Sequence, residues 1–371
     1  MSDRTFRTTG RLTPGAEVDL EACHTDPIHR TARIQPHGTF LEVDPDEHTV
    51  LSAAENLEPY LGCPAEEAIG LPITELFASA SLERIGRWPR GTGQSTERYV
   101  FEEGGRSLSV TLFPVGESSG VEVERPGGDE EVAEEVVLNA RPVLDRLRGL
   151  TERDELFDET VAAVRSVSGF DRVMLYRFDE QGHGQVVAED RRPDVASYLD
   201  QHFPASDIPE PARRLYRKNR VRHIPDVEYD PVPILGPEGP RDRSEMDLTH
   251  SSLRAVPEVH CQYLRNMGVR ASTSISVLVE GELWGLIACH GLEPRLLGWA
   301  RRNICELVGH TVSQQIARIR AEEQERRLRT VERFSGRFRA PDDVDDLFAQ
   351  LESERSELLS LLDAGGFYLQ L

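Results

Sequence analysis

Residues 247–290 hold the side chains best suited to do chemistry. Ser272 and Ser274 stand two apart in one apolar run, His290 closes another, and His260 lies within Val259-His260-Cys261-Gln262-Tyr263-Leu264. Residues two apart share one face of a strand, so both hydroxyls are expected on one wall. His260 and His290 fall at the ends of otherwise apolar elements. Buried polar groups require hydrogen-bonding partners. The expected partner is a bound small molecule, charged but largely apolar. A thiol enzyme is a poorer fit, because neighbouring His260 and Cys261 diverge on a helix and no third group is evident to orient them. The five cysteines, Cys23, Cys63, Cys261, Cys289 and Cys305, are scattered and odd in number. No pair has the spacing of a zinc site or a disulfide framework, so no metal is assigned and they read as reduced thiols.

The elements that position these groups follow from length, charge and pattern. A chain of 371 residues has room for two or three domains. Its net charge of -22 would repel a phosphate backbone, which argues against nucleic acid as a direct partner. No apolar run approaches a membrane span and the N-terminus is polar, so a soluble, cytoplasmic protein with no membrane partner is expected. Residues 1–20 read as a flexible arm. Strand-like alternation over 39–43 and 48–52, helices near 66–68 and over 73–85, then strands at 98–101, 107–114 and 120–124 make an α+β order that suits a PAS domain, bounded as 21–125. The run Pro126-Gly127-Gly128-Asp129-Glu130-Glu131 marks a boundary.

In the second domain, helices are expected near 134 and over 152–168, strands at 170–176 and 184–188, and a helix over 211–219. Residues 203–209 are bracketed by Pro204 and Pro209 and cannot be regular. Residues 226–247 carry Pro231, Pro233, Pro237 and Pro240 and read as a long structureless excursion. A long helix is expected from about 297 towards 339, with apolar Ile304, Leu307, Val308, Val312, Ile316 and Ile319, then Leu328, Val331 and Phe334. Its extension past the domain makes it a candidate dimer seam. Another helix is expected over 343–362, and 366–371 reads as a strand opening an unfinished domain.

Several motifs together resemble the photosensory half of bacteriophytochromes, the biliverdin-binding red/far-red receptors. They are Cys23, Pro27-Ile28-His29, Ile34-Gln35-Pro36-His37-Gly38, Asp171-Arg172-Val173-Met174-Leu175-Tyr176, Pro204-Ala205-Ser206-Asp207-Ile208-Pro209, Tyr263-Leu264-Arg265-Asn266-Met267-Gly268-Val269 and Leu283-Trp284-Gly285-Leu286-Ile287-Ala288-Cys289-His290. The resemblance implies a PAS domain, a GAF domain over 130–320 and, over 321–371, a helical linker with the beginning of a PHY domain. It also implies a figure-of-eight knot, the N-terminal segment threading the 226–247 excursion.

The resemblance further implies covalent biliverdin IXα, joined as a thioether to Cys23. The cysteine that plant-type relatives use would stand at Val259, so that anchor is absent. The Asp207 carbonyl would accept from the pyrrole N–H groups and its carboxylate would take part after photoisomerisation, with Ile208 beside it against the chromophore, although the residues alone also allow Asp207 to cap the next helix. His260 would lie over the pyrrole nitrogens and His290 would bond the D-ring carbonyl. Arg222 and Arg254 would bind one propionate, and Ser272 and Ser274 the other. Tyr176, Phe203 and Tyr263 would enclose the D-ring, with Tyr198 and Tyr216 as further candidates. Pro257 departs from the pattern, standing where many relatives have a hydroxyl.

The function implied is light-driven Z/E isomerisation signalling to an output module, a histidine kinase acting on a response regulator, from a homodimer joined through GAF and linker helices. No enzymatic activity is expected beyond self-attachment of the bilin. With most of PHY absent, an incomplete photoproduct is expected. The alternative is a PAS–GAF module for another ligand, such as a cyclic nucleotide.

Overall fold

The computed structural model describes residues 27–85, 88–91, 96–125, 132–336, 341 and 343–362. Cys23, the arm at 1–20 and the strand expected at 366–371 lie outside the described residues. The first domain contains strands β1 (Arg33–Ile34), β2 (Gly38–Val43), β3 (Val50–Ala54), β4 (Glu97–Glu103), β5 (Arg106–Val115) and β6 (Ser118–Glu124). Its short helices are α1 (Glu58–Leu61), α2 (Ala65–Ala68) and α3 (Ser79–Leu82). The single helix expected over 73–85 is instead a 3₁₀ turn, Ile73–Glu75, followed by α3. Ile73, Leu76 and Phe77 reach the core formed with Leu41, Val110 and Val121, and Leu82 and Ile85 pack against the same cluster; one straight helix would keep the first three on one face but carry Leu82 to the opposite side.

The second domain begins with α4 (Val132–Gly149) and α5 (Arg153–Ser168), then β7 (Arg172–Phe178), β8 (Gly184–Arg191) and β9 (His202–Phe203). It continues through α6 (Glu210–Lys218), β10 (Val221–Ile224), β11 (Val232–Gly236), β12 (Gly239–Pro240), α7 (Glu258–Asn266), β13 (Ala271–Val279), β14 (Glu282–Gly291) and α8 (Trp299–Ser335). Six of these strands form an antiparallel sheet in the order β10-β13-β14-β7-β8-β9. Glu280 and Gly281, with φ of 54° and 85°, turn β13 into β14, the two-residue hairpin whose twist matches its strands.

Strand parity sorts this sheet into two faces. Val173, Leu175, Ile275, Val277 and Ile287 pack against α5 and α8, joined by Ile304, Val308, Val312 and Ile316 from the inner stripe of α8. Their even-numbered neighbours face the other way. Beyond Ile319 the long helix leaves this core, and Leu328 and Val331 are about half exposed. The last expected helix is broken at Glu354 into α9 (Val344–Ser353) and α10 (Arg355–Leu362).

The excursion over 226–247 is not structureless. It contributes β11 and β12 to the first domain's sheet, whose order is β1-β11-β3-β2-β6-β5-β4 with β12 on β11. Pro231 and Pro237 lie just outside β11, Pro240 ends β12, and Pro233 within β11 joins the ladder through its carbonyl, which accepts from the Glu55 N–H at 3.0 Å. Residues 30–35 run between the two arms of this excursion. On one side Arg33 and Ile34 pair with Pro233 and Val232. On the other, Arg30 bridges Asp247, Ile34 bridges Arg254, and the Gln35 N–H donates to the Leu253 carbonyl at 2.7 Å. That is the arrangement a threaded segment requires.

Candidate functional site

The even-numbered face of the second sheet floors a cavity of about 490 Å³, within the ordinary range for a small-molecule site. Met174 and Tyr176 on β7, Ser272 and Ser274 on β13, and Ala288 and His290 on β14 all line it. Register explains the grouping, since Ser272 pairs with His290, and Ser274 with Ala288. Arg222 on β10 lies opposite Ser274. The walls come from α6, α7 and residues 203–209, and Pro27 and Ile28 complete them. All the candidate residues within the described chain line this one cavity: Tyr176, Phe203, Asp207, Ile208, Tyr216, Arg222, Arg254, His260, Tyr263, Ser272, Ser274 and His290, with Tyr198 beside them. Cys23 cannot be placed, and Pro27, four residues after it, is at the cavity wall.

One end is apolar and aromatic. Tyr176 and Phe203 have ring centroids 5.9 Å apart, and Tyr198 and Phe203 6.1 Å. The Tyr263 hydroxyl donates to Asp207 Oδ2 at 3.0 Å, and its ring stacks beside His260 at 6.3 Å. Burial, then the Asp207 carboxylate, pushes the Tyr176 hydroxyl up to about 12. Asp207 does not cap α6, whose N-cap position is taken by Pro209; its side chain serves Tyr263 instead. The turn that carries Asp207 is held from outside by Arg213, which donates to the carbonyls of Ile208 and Ala205 at 2.7 and 2.9 Å.

The other end is cationic. Arg222 and Arg254 are only 9% and 6% exposed. Arg222 donates to the carbonyls of Ser252, at 2.9 Å, and Arg254. Arg254 reaches the carbonyls of Leu248 and Thr249 at 3.3 and 3.4 Å, and its Nε is buried without a partner. Neither has a carboxylate partner among the described residues. Burial, then the neighbouring Arg222 charge, brings Arg254 down to about 9. Tyr216 extends its hydroxyl to within 3.4 Å of Ser274 Oγ. Burial holds both histidines neutral, His260 lowered to about 4 and His290 to about 3. Cys261 turns away into a cluster with Ile224, Val227 and Leu264, where burial pushes its thiol up to about 12.

A GAF domain model matches residues 152–319, and a PAS fold model matches 23–124. The chromophore-binding domain of an unusual bacteriophytochrome from R. palustris superposes with a TM-score of 0.71 at 32% identity, covering 81% of this chain and 99% of that one. The chain belongs to the bacteriophytochrome family of photoreceptors. A second solved relative, the chromophore binding domain of a Stigmatella aurantiaca phytochrome, gives a TM-score of 0.69 at 33% identity over 79% of this chain and 98% of its own. A bacteriophytochrome of Pseudomonas aeruginosa is 33% identical over 97% of this chain and 49% of its own length. This bacteriophytochrome chain thus spans about half the length of the curated relatives it matches. Among its described residues no helix is long and apolar enough to cross a membrane.

Two groups of this bacteriophytochrome were not singled out from sequence. Arg172 lies opposite His290 in the β7–β14 ladder, although its even spacing from Met174 and Tyr176 was a usable signal. Glu122 on β6 is fully buried and accepts from Ser251 and Ser252 Oγ and from the Leu253 N–H at 2.9 Å. It thereby anchors the segment whose carbonyls hold Arg222. A lone carboxylate in a strand gives no such hint.

Proposed function

We propose that this chain is a red/far-red photoreceptor whose cavity holds biliverdin, joined through a thioether to Cys23. The observation that carries the reading is the pair Arg222 and Arg254, two buried guanidinium groups bonded only to carbonyls. Such groups call for an anion, and a well-formed charge-assisted bond contributes roughly 1.5–3 kcal/mol. A bilin has two propionates and an elongated apolar body, which suits the cationic end and the aromatic end together. A cyclic nucleotide would meet the two guanidinium groups with its single phosphate, but it brings no second anion to Ser272 and Ser274 and sets a polar sugar and base against the apolar wall of Met174, Tyr176 and Phe203. Pro27 supports Cys23 as the anchor, because four residues span at most about 14 Å.

Bound, such a chromophore supplies red absorption and light-driven rotation about a double bond next to its last ring. The residues do the rest. Arg222 and Arg254 bind one propionate; Ser272 and Ser274, with Tyr216, bind the other. His260 and the Asp207 turn meet the pyrrole nitrogens. Tyr176, Phe203 and Tyr263 enclose the ring that turns, and His290 meets its carbonyl. The Tyr263–Asp207 bond is the contact best placed to change with ring orientation. Signalling to an output kinase and a response regulator belongs to the same proposal, as does pairing with a second copy through α8, where Leu307, Leu328 and Val331 are exposed.

Apoprotein mixed with biliverdin should develop a red absorption band, and the denatured product should fluoresce with zinc on a gel. Cys23→Ser should keep the absorption and lose the covalent signal. Absence of any red band would overturn the chromophore; a zinc signal that survives in Cys23→Ser would overturn the anchor.

A further inference from the structure

Arg172 and His290 face each other across β7 and β14, and both are buried. Arg172 Nη2 lies 3.1 Å from His290 Nδ1. A guanidinium only donates and does not give up its proton in a protein. Nδ1 must therefore be the accepting nitrogen, and the ring hydrogen sits on Nε2. The opposite tautomer, or an imidazolium, would set N–H against N–H.

Arg172 is fixed in its own right. Its Nη1 donates to the Ala196 carbonyl at 2.9 Å, and its guanidinium carbon stands 3.8 Å from the centroid of the Tyr198 ring. Cation–π contact of this kind is strongest when desolvated. Arg172 has no carboxylate partner among the described residues, so its hydrogen bonds go to a carbonyl and to the imidazole. Tyr198 and His290 both line the cavity.

We infer that Arg172 is a positioning residue that locks His290 in one neutral tautomer, leaving Nε2–H as the donor offered to the cavity. This end of the site then selects a ligand group that accepts a hydrogen bond, a carbonyl, and rejects one that donates. Only the identity of the acceptor, a ring carbonyl of the chromophore, rests on the function proposed above. Electrostatics agree with the geometry. Burial first, then Arg172, then His260 on α7 push the His290 imidazole down to about 3, so the neutral ring persists throughout the neutral pH range.

The test is the tautomer itself, read in apoprotein carrying ¹⁵N-labelled histidine, with the His290 signals assigned by their loss in His290→Asn. Wild type should show a protonated Nε2 and a bare Nδ1, in excess over the other form by about tenfold or more, the scale of one hydrogen bond to a charged donor. Arg172→Lys keeps a donor-only group and should keep this tautomer. Arg172→Gln can either donate or accept and should give a mixture. A protonated Nδ1 in wild type overturns the inference, as does an unchanged single tautomer in a folded Arg172→Gln. If Arg172→Gln does not fold, wild type and Arg172→Lys still decide. Adding biliverdin to wild type should shift the Nε2 resonance and leave the tautomer intact. An unshifted Nε2 beside an intact tautomer would overturn the ring-carbonyl acceptor and leave the lock standing.

Discussion

Two guanidinium groups enclosed without an anion destabilise the protein that holds them. Arg254 shows this most, with its Nε unpartnered and its pKa brought down to about 9 by burial and Arg222. Replacing such a charge by an apolar side chain of similar length is often neutral or stabilising. Arg254→Met is therefore expected to leave the apoprotein at least as stable to urea as wild type. The same change should weaken biliverdin binding by roughly 10–100-fold, the loss of one charge-assisted bond. Biliverdin dimethyl ester, which lacks the charges, should respond much less. A parallel loss for both ligands in a titration of the absorption band would place Arg254 in a packing role. Ser272, Ser274 and His290 were legible in the sequence because strand parity is a simple alternation. The arginines and the aromatic residues were reached through motif resemblance, and His260, legible as a polar group in an apolar element, owed its role to it, since where a helix or loop residue faces depends on docking. Arg172 was hidden because an arginine in a strand ordinarily reads as solvent-facing.

At the scale of elements, the sheet works as a partition. One face takes α8 and the other takes the ligand cavity, so anything that shifts α8 is felt through a single layer of backbone. Gly309 marks a close approach, since a Cβ there would lie 2.6 Å from Ile275 Cγ2. Gly309→Ala is expected to cost about 1–3 kcal/mol by overpacking, measurable as a lowered urea midpoint. If the midpoint does not move, α8 is not held tightly against β13. The strands and long helices were legible from periodicity, including the tapering of the inner stripe of α8 after Ile319. The excursion departs from the structureless reading because proline density does not by itself exclude strands. Its strands are short, and they gain their partners from a distant part of the chain, which no local pattern can signal. The single helix expected at 343–362 failed for a related reason, as the break at Glu354 has no proline or glycine to announce it.

At the scale of the whole molecule, the two domains share a buried polar interface. Arg302 on α8 places Nη2 2.7 Å from both oxygens of Glu124 on β6. Removing one partner of a buried pair leaves the other uncompensated, so Arg302→Met should destabilise by about 3–5 kcal/mol. A loss under 1 kcal/mol in urea unfolding would show that water reaches Glu124. Burial also sets the response to acid. His37 and His260 are lowered from 6.5 to about 4, and His290 to about 3. Folded values below the unfolded one mean stability present above pH 6.5 and lost as pH falls towards 4 and 3. Glu122 opposes this, because burial raises its folded value above 4.5 and its contribution is lost as pH rises. Histidines outnumber it in that group, so the urea midpoint should drop on going from pH 7 to pH 5. A midpoint that rises instead would mean that Glu122 dominates. The threaded segment, finally, imposes an order on synthesis. Ala54 on β3 waits for Ile234, made roughly 180 residues later, which at about 5–20 residues per second is some 10–40 s on the ribosome. During that interval the first domain has an open strand edge, a template for wrong pairing. Residues 30–35 exist before the arms that enclose them, so closure proceeds by the later chain wrapping around the earlier one. A nascent chain halted at residue 225 should be cut readily near residues 27–36, and one carried past residue 257 and released should resist the same protease.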